Sequence, residues 1–491
     1  MTAYFRNKPT RVLLVESNNM GKWVGTTMPY EMHVPPLGLM YLASYARTAL
    51  PEIDFRIVES SLSCPDDERF IHILNEFKPD VVGIRSIAFF LEELQRIASL
   101  VHAHSDATLV AGGPIVQAYK SRLFEEVPEL GIAVKGEGEQ VFVNLLSGVP
   151  VPTIAGVLYR TDEGVVENED QVEVADIDSL PFPAYDLIDL DQYQGQLSYA
   201  YNHRRQGVLL TSRGCVYNCT FCFSHWKGIR LRSAANIFEE IIELHGQHGI
   251  EDFYIVDDIF NVDLKRSFAL FDLILAAGLK LRLYFVNGLR ADITSEKFVD
   301  RALAAGAVWF TYAVESGTNE IQRLVKKRLD LEKARRIISY TQSQNVAVNI
   351  STMYGFPTET RELAQRTLDW LSELPKPSLM PYHFCLRFFP GCAINQQALE
   401  AGWDAGRLGL TSRFSYNDMP LGTPTLSKQD MYSIQIEYHR RFGLSNPEAV
   451  DGAVRTLRSI GYSDMEIVHM YSVLKRKVIH DVGDLMLAGG N

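Results

Sequence analysis

Three cysteines, Cys215, Cys219 and Cys222, fall within eight residues of one another in the stretch LLTSRGCVYNCTFCFSHWKG. Thiolates are soft ligands suited to iron–sulfur clusters or zinc. A closed structural zinc site takes four ligands, usually as two close pairs, and the chain has no second CxxC pair. Three thiolates around a four-iron cubane leave one iron with an open position, and an open position permits chemistry. A partial zinc site or three unconnected thiols are the alternative readings of these residues alone.

Charged and small residues recur further along. Adjacent carboxylates, Asp257 and Asp258 in IVDDIF, suit a cationic or hydroxylated ligand. Neighbouring strand residues face opposite ways, so only one of the two points inward; Asp258 could equally cap a helix. Arg290 in NGLRAD offers a fork for a carboxylate. Glu315, followed by Ser316 and Gly317 in AVESGT, would be costly to bury without a partner. Lys327-Arg328 reads either as a functional basic pair or as a solvated helix face. Gly355 opens the turn GFPTET, where a glycine lets backbone come close to a ligand. Cys385 and Cys392 could touch substrate or serve as small apolar core residues.

The elements that must position these residues alternate. From Val208–Leu210 onward, strand runs at 252–256, 281–286, 308–314 and 346–353 are separated by helical segments at 234–248, 268–277, 295–305 and 331–343. That pattern predicts a partial (β/α)6 barrel over 206–394, with its polar residues at the carboxyl ends of the strands, where barrel enzymes carry out chemistry. The first 150 residues predict an open, doubly wound parallel sheet: strands at 11–16, 55–58, 80–84, 108–111 and 132–134 alternate with helices, including one at 116–124. Ligands of such sheets sit outside the carboxyl ends. Near those ends stand Gly83, Ser86, Gly112, Gly113, Gly136 and Glu137. Close approach to a ligand and tight turns explain these glycines equally well. Residues 151–205 read as a hairpin followed by a Pro-spaced linker, and 395–491 as helices covering the barrel mouth, the last of them at 464–479.

The chain of 491 residues suits two or three domains, and 46% hydrophobic with 22% charged residues is globular composition. A net charge of −12 argues against a nucleic-acid surface. No apolar run reaches the roughly 18 residues of a membrane span, and the N-terminus lacks a signal-peptide core. Six cysteines with three clustered suit a reducing compartment, so the cytoplasm is the expected location.

The C-x-x-x-C-x-x-C order, with Phe221 before the last cysteine, resembles the cluster loop of the radical S-adenosylmethionine (AdoMet) enzymes. The resemblance implies a [4Fe–4S] cluster held by Cys215, Cys219 and Cys222, with AdoMet on the vacant iron. An electron from an external donor of flavodoxin or ferredoxin type would cleave AdoMet, and the resulting 5′-deoxyadenosyl radical would take hydrogen from a small molecule. By the same resemblance Phe221, Asp257 or Asp258, Arg290, Glu315, Ser316 and Gly355 are AdoMet contacts and 388–392 is the sixth-strand segment; no catalytic acid or base is implied. PPLGLMYLASYAR, VVGIRS, VAGGP and KGEGE, in that order, resemble the flavodoxin-like cobalamin-binding domain that precedes many of these enzymes. Its candidate contacts are Asn18, Gly83, Ser86, Gly112, Gly113, Gly136 and Glu137. Domains of this type that ligate cobalt carry D-x-H-x-x-G after the first strand, whereas this chain has ESNNMG. Asn18 stands at the imidazole position and cannot supply that nitrogen donor, so any cobalamin bound lacks this ligand. Relatives of this fold include some that bind no cobalamin, and the sequence leaves that choice open. The function implied is cobalamin-dependent C-methylation in natural-product or cofactor biosynthesis, of the class B radical methylase kind. The alternatives are cobalamin-independent dehydration, rearrangement or cyclisation, and a non-catalytic iron–sulfur electron carrier.

Overall fold

The structure, a computed structural model, describes residues 8–18, 34–193, 204–223, 226, 228–375, 379–406, 408, 422–443, 446–468 and 470–471. Contacts divide the chain into two compact units, Met1–Tyr193 and Gln194–Asn491.

In the first unit, β1 (Arg11–Glu16), β2 (Asp54–Glu59), β3 (Val81–Arg85), β4 (Thr108–Gly112) and β5 (Ile132–Val134) form a parallel sheet in the order β2-β1-β3-β4-β5. Helices Leu37–Ala49, Asp67–Phe77, Leu91–His104 and Glu139–Leu146 alternate with these strands. Strands covered on both faces read as continuous apolar runs rather than alternating ones, and β1 is buried from Val12 to Glu16. The hairpin β6 (Val157–Thr161) and β7 (Gly164–Glu167) adds antiparallel to β5, so it extends this sheet. The helix expected at 116–124 is broken: Pro114–Tyr119 stops at Lys120, whose φ of +51° ends a helical turn, and Leu123–Glu126 resumes after a 3-10 turn.

In the second unit, β8 (Gln206–Leu209) is followed by a small antiparallel pair, β9 (Ser212–Gly214) and β10 (Ile229–Leu231). The main sheet continues with β11 (Asp252–Ile255), β12 (Arg282–Leu289), β13 (Ala307–Glu315), β14 (Ala347–Tyr354) and β15 (Tyr382–Cys385). All six are parallel and neighbour one another in chain order, which is the partial barrel that the βα alternation predicts. Each intervening helix starts on a side-chain cap: Ser233, Asp263, Ser295, Asp330 and Thr360 accept from the first-turn backbone of 234–248, 264–276, 296–304, 331–343 and 361–372. On the helix side of the sheet Phe260, Phe271, Phe285 and Phe298 pack edge and face. On the opposite face Tyr254 stacks on Tyr284 at 4.3 Å, and Trp309 lies in register beside Tyr284. Nearer the carboxyl ends, Val256, Ala313, Ser351 and Met353 are only partly buried, so the inner face opens there.

The sixth strand is β15, at 382–385, and not the segment 388–392. Phe388 and Cys392 lie beyond the strand and pack with Ile321, Phe356 and Ile394 in a buried cluster. The C-terminal helices include Ile394–Glu400, Lys428–Phe442 and Pro447–Ser459. The next helix begins on the reciprocal cap of Ser463 and Glu466; residues 469 and 472–479 of the expected span lie outside the described residues.

Candidate active site

The cysteine loop leaves β8 through a turn whose root is buried and polar. The Asp257 carboxylate accepts from Thr211 N at 2.6 Å, from the Ser212 hydroxyl at 2.8 Å and from the Thr211 hydroxyl, with the Arg266 guanidinium 3.7 Å away. Arg266 donates to the Thr211 carbonyl, and Arg232, paired with Glu240 at 2.5 Å, donates to the Leu210 carbonyl. Gly214 has a φ of +90°, and a Cβ there would lie 2.2 Å from the Gly228 carbonyl oxygen, so only glycine lets β9 pair with β10. Inside the loop, Arg290 lies 4.0 Å over the ring of Tyr217 and is held from behind by Asp292 at 2.8 Å and the Arg328 carbonyl at 3.3 Å. Thr220 N donates to the Val325 carbonyl, and the Thr220 carbonyl accepts from Ile394 N. Phe221 is partly buried against the cluster of Phe356 and Phe388.

Burial raises the pKa of the half-buried Cys215 and Cys219 thiols. Lys327 and Arg290 pull in the opposite direction at Cys215 and Cys219, so positive charge is already arranged beside thiols that must ionise to ligate. Among the described residues no three His, Cys, Asp or Glu side chains converge closely enough to hold a single metal ion. A cubane cluster takes its thiolates on separate irons and needs no such convergence. The donor set fits it: three cysteines on one loop, anchored at its root, middle and far side.

The residues expected to meet AdoMet divide into free and occupied groups. The Asp257 carboxylate is buried in the turn it braces, where three hydrogen bonds and the nearby Arg266 already engage it. Asp258, next along, is exposed and its charge is felt at Cys215 and Cys222. Of the two, Asp258 is therefore the available acceptor. The alternation argument does not decide between them, because β11 ends at Ile255 and both lie beyond it. Arg290 gives Nη2 to Asp292 and to the Arg328 carbonyl and its face to Tyr217, which makes it a brace of the loop. Ser316 is fully buried, and its hydroxyl is shared with Thr318 at 3.0 Å and Thr367 at 3.1 Å, so it too is structural.

Glu315 has a φ of +70°, a costly conformation for a residue with a Cβ, at a register shift between β13 and β14. Its carboxylate is buried and 2.8 Å from Lys327 Nζ. Lys327 itself is buried in a turn after the helix Asn319–Leu324, which excludes the solvated helix face. Gly355, with a φ of +85°, donates its N–H to Glu359 at 2.6 Å. Glu359 also accepts from Phe356 N, and full burial raises its pKa to about 8. Four participants were not singled out from sequence: Tyr217, Gln322, whose side chain donates to the Val314 and Ser316 carbonyls and accepts from Leu329 N, the buried role of Lys327, and Glu359 as brace of the Gly355 turn. Glu359 lies within GFPTET and Lys327 within the basic pair, so the residue types were visible but their partners were not.

At the carboxyl edge of the first sheet, register places Glu16 beside Glu59 and Arg85, and Arg85 beside Gly112. Glu16 pairs with Arg85 at 2.5 Å. Asn18 is buried, its amide donating to Glu59 at 2.8 Å and its backbone closing on the Ser60 hydroxyl, so this side chain serves the edge itself and is no candidate cobalt ligand. Gly83 is a packing glycine: a Cβ would meet Leu14 at 2.9 Å and Phe142 at 3.8 Å. Ser86 is buried and turns its hydroxyl onto its own chain, and Gly113 sits where a Cβ would lie 2.8 Å from the Ser86 carbonyl oxygen. Gln171 packs over Gly136, and Glu137 accepts from Val174 N at 2.7 Å, so both serve the segment after the hairpin. Among the described residues, a Cβ at Gly112 would meet nothing within 4 Å. The end of β4 thus opens onto free volume, which fits a large flat ligand laid on the sheet edge.

Comparison with known proteins agrees with both units. Residues 209–371 match the family model of the radical SAM superfamily, and residues 22–146 match that of the B12 binding domain. The uncharacterized methyltransferase PH0819 of Pyrococcus horikoshii is 28% identical over 382 residues, 75% of this chain and 79% of its own length. Cytidylyl-2-hydroxyethylphosphonate methyltransferase of Streptomyces wedmorensis is 28% identical over 349 residues, 62% of this chain and 64% of its own. The fold matches that of the radical S-adenosylmethionine methyltransferase TsrM from Kitasatospora setae, solved with cobalamin and a [4Fe-4S] cluster, with a TM-score of 0.67 at 19% identity over 95% of this chain and 99% of that one. Among the described residues no helix is long and apolar enough to cross a membrane. The two domains imply a [4Fe–4S] cluster, AdoMet and cobalamin as cofactors, and the chain is a radical SAM enzyme with a B12-binding domain ahead of its catalytic domain.

Proposed function

We propose that this chain is a cobalamin-dependent radical methylase acting on a small molecule. One observation carries the reading: a B12-type parallel sheet stands in the same chain as a three-cysteine loop whose donor set fits a four-iron cluster. When bound, cobalamin supplies a transferable methyl group and the cluster with AdoMet supplies one-electron cleavage of the sulfonium. Cys215, Cys219 and Cys222 hold the cluster, and Asp258 accepts from the AdoMet ammonium, the role its unfilled carboxylate suits. The backbone around Gly355, set by Glu359, offers a surface without a side chain for the nucleoside. The substrate lies at the open end of the inner face, where Ala313, Ser351 and Met353 are accessible, while Tyr254, Tyr284 and Trp309 close the layer beneath and keep water out. An external one-electron donor reduces the cluster, and a reducing cytoplasm preserves it.

The test is reconstitution with iron, sulfide and hydroxocobalamin under anaerobic conditions, removal of unbound cofactor, then addition of reductant and AdoMet. Retained corrinoid absorbance with both S-adenosylhomocysteine and 5′-deoxyadenosine is the expected result. Loss of the corrinoid bands refutes the methylase. 5′-Deoxyadenosine without S-adenosylhomocysteine points to rearrangement, dehydration or cyclisation, and neither product points to an electron carrier.

A further inference from the structure

The inner face of the second sheet changes character along its strands. Toward the amino ends it is charged and matched: Asp252 pairs with Arg282 at 2.5 Å and accepts from the Tyr284 hydroxyl at 2.7 Å. In the middle, Tyr254, Tyr284 and Trp309 fill it and are buried. Side chains alternate between the two faces along a strand, so the inward residues that follow are Val256, Ala313, Ser351 and Met353, each only partly buried. Register sets Tyr382 beside Ser351 and Phe384 beside Met353, which puts both rings of β15 on this face. The residues between them point the other way: Thr352 and His383 bond each other at 2.9 Å, and His383 packs on Tyr438 of the helix Lys428–Phe442.

Two properties of this open layer restrict what it can hold. None of its six side chains is charged. Asp258 lies past the end of β11, and Glu315, paired with Lys327, is the last residue of β13. A phosphate or carboxylate pressed against Val256, Ala313 and Met353 would lose its water and gain no partner from them, which is costly. One wall, moreover, is flat. The Tyr382 and Phe384 rings lie 5.5 Å apart between centroids at 32°, and both are partly buried. A planar group laid against them gains ring contact beyond the apolar area it buries, and Met353 beside Phe384 adds a polarizable sulfur. Within the described residues no hydrogen bond claims the Ser351 hydroxyl, so it can donate to or accept from one polar atom of a ligand.

We propose that this layer receives an uncharged, planar part of the substrate, an aromatic or conjugated ring, with Tyr382 and Phe384 as its wall and Ser351 as its hydrogen-bonding partner. The inference rests on the substrate position proposed above and names the class of molecule that fits it. Phe384 and Ser351 are then the residues that set specificity, the first by shape and the second by polarity.

The test is equilibrium dialysis of three probes, 2-naphthol, its saturated analogue decahydro-2-naphthol and 2-naphthyl phosphate, against the full chain loaded with cluster, cobalamin and AdoMet and kept without reductant. Iron and corrinoid content are recorded for every protein. Wild type binds 2-naphthol about 2- to 10-fold tighter than the saturated analogue and at least about 30-fold tighter than the phosphate. Phe384→Leu keeps an apolar side chain but no flat face, and it brings the first ratio to about one. Ser351→Lys places a cation in the layer and narrows the second ratio at least about tenfold. Wild type that binds the phosphate as well as 2-naphthol, or binds no 2-naphthol, overturns the proposal. A first ratio unchanged in Phe384→Leu, or a second unchanged in Ser351→Lys, overturns it as well when iron and corrinoid are normal, because the probe then lies elsewhere. These outcomes leave the methylase reading standing. That reading fails instead if wild type retains no corrinoid, and the probe ratios on protein loaded with cluster and AdoMet still decide this inference.

Discussion

Asp257 and Asp258 are adjacent and chemically identical, and their replacement by asparagine should have opposite effects. Asp257 accepts three hydrogen bonds from Thr211 and Ser212 and faces Arg266 inside the protein. In Asp257→Asn one acceptor oxygen remains for Thr211 N–H, but the Thr211 and Ser212 hydroxyls lose their acceptor and the buried Arg266 loses its counter-charge. Breaking one side of a buried charged pair costs about 3–5 kcal/mol, and the oxygen retained by asparagine keeps the loss near about 3 kcal/mol. Because this turn is the root of the cysteine loop, that loss raises the population of the open loop by roughly 100-fold, at about 1.4 kcal/mol per factor of ten. Iron should therefore be lost to a chelator far faster than in wild type, while far-UV circular dichroism is unchanged. Asp258 makes no hydrogen bond within the described protein. Asp258→Asn should keep its iron and weaken AdoMet by about 10- to 100-fold, the worth of one hydrogen bond to a charged group. Iron content after a timed chelator challenge, with AdoMet titration on the loaded protein, measures both. Full iron retention in Asp257→Asn together with weakened AdoMet would refute the reasoning, since it would make Asp257 the ligand and not the brace.

Gly214→Ala forces a Cβ to within 2.2 Å of the Gly228 carbonyl at a φ of +90°; backbone strain alone costs about 1–3 kcal/mol, and lower iron retention with a lower melting temperature is expected, so unchanged iron would count against the β9–β10 clasp. Glu359 has its folded pKa raised by burial to about 8 from 4.5, so its contribution to stability is fully present below about pH 4.5 and is lost as pH rises through about 8. Glu359→Gln removes that titration: the stability of wild type relative to the variant should fall between pH 5 and 8 and level off above, and a flat difference across thermal melts in that window would show that the carboxyl is not held neutral.

Much of this protein is legible in its local sequence. The three cysteines needed no tertiary information, because a loop of eight residues cannot separate them. The parallel sheets followed from apolar runs alternating with capped helices, and the caps at Ser233, Asp263, Ser295, Asp330 and Thr360 are short-range chemistry. Gly355 and Gly113 reported turns through their backbone freedom. Tertiary structure decided which polar groups are spent and which are free. Asp257 is claimed by Thr211 and Arg266, Arg290 by Asp292 and Tyr217, Ser316 by Thr367, and Asn18 by Glu59 and Ser60. Most of these partners lie tens of residues away in the chain, so no periodicity or spacing can reveal them. The hairpin at 157–167 likewise joined the first sheet only because the edge of β5 was open to pair. A side chain's type sets what it can bind; the fold decides whether its lone pairs and protons are already taken, because burying an unmatched charge costs more than any surface contact returns.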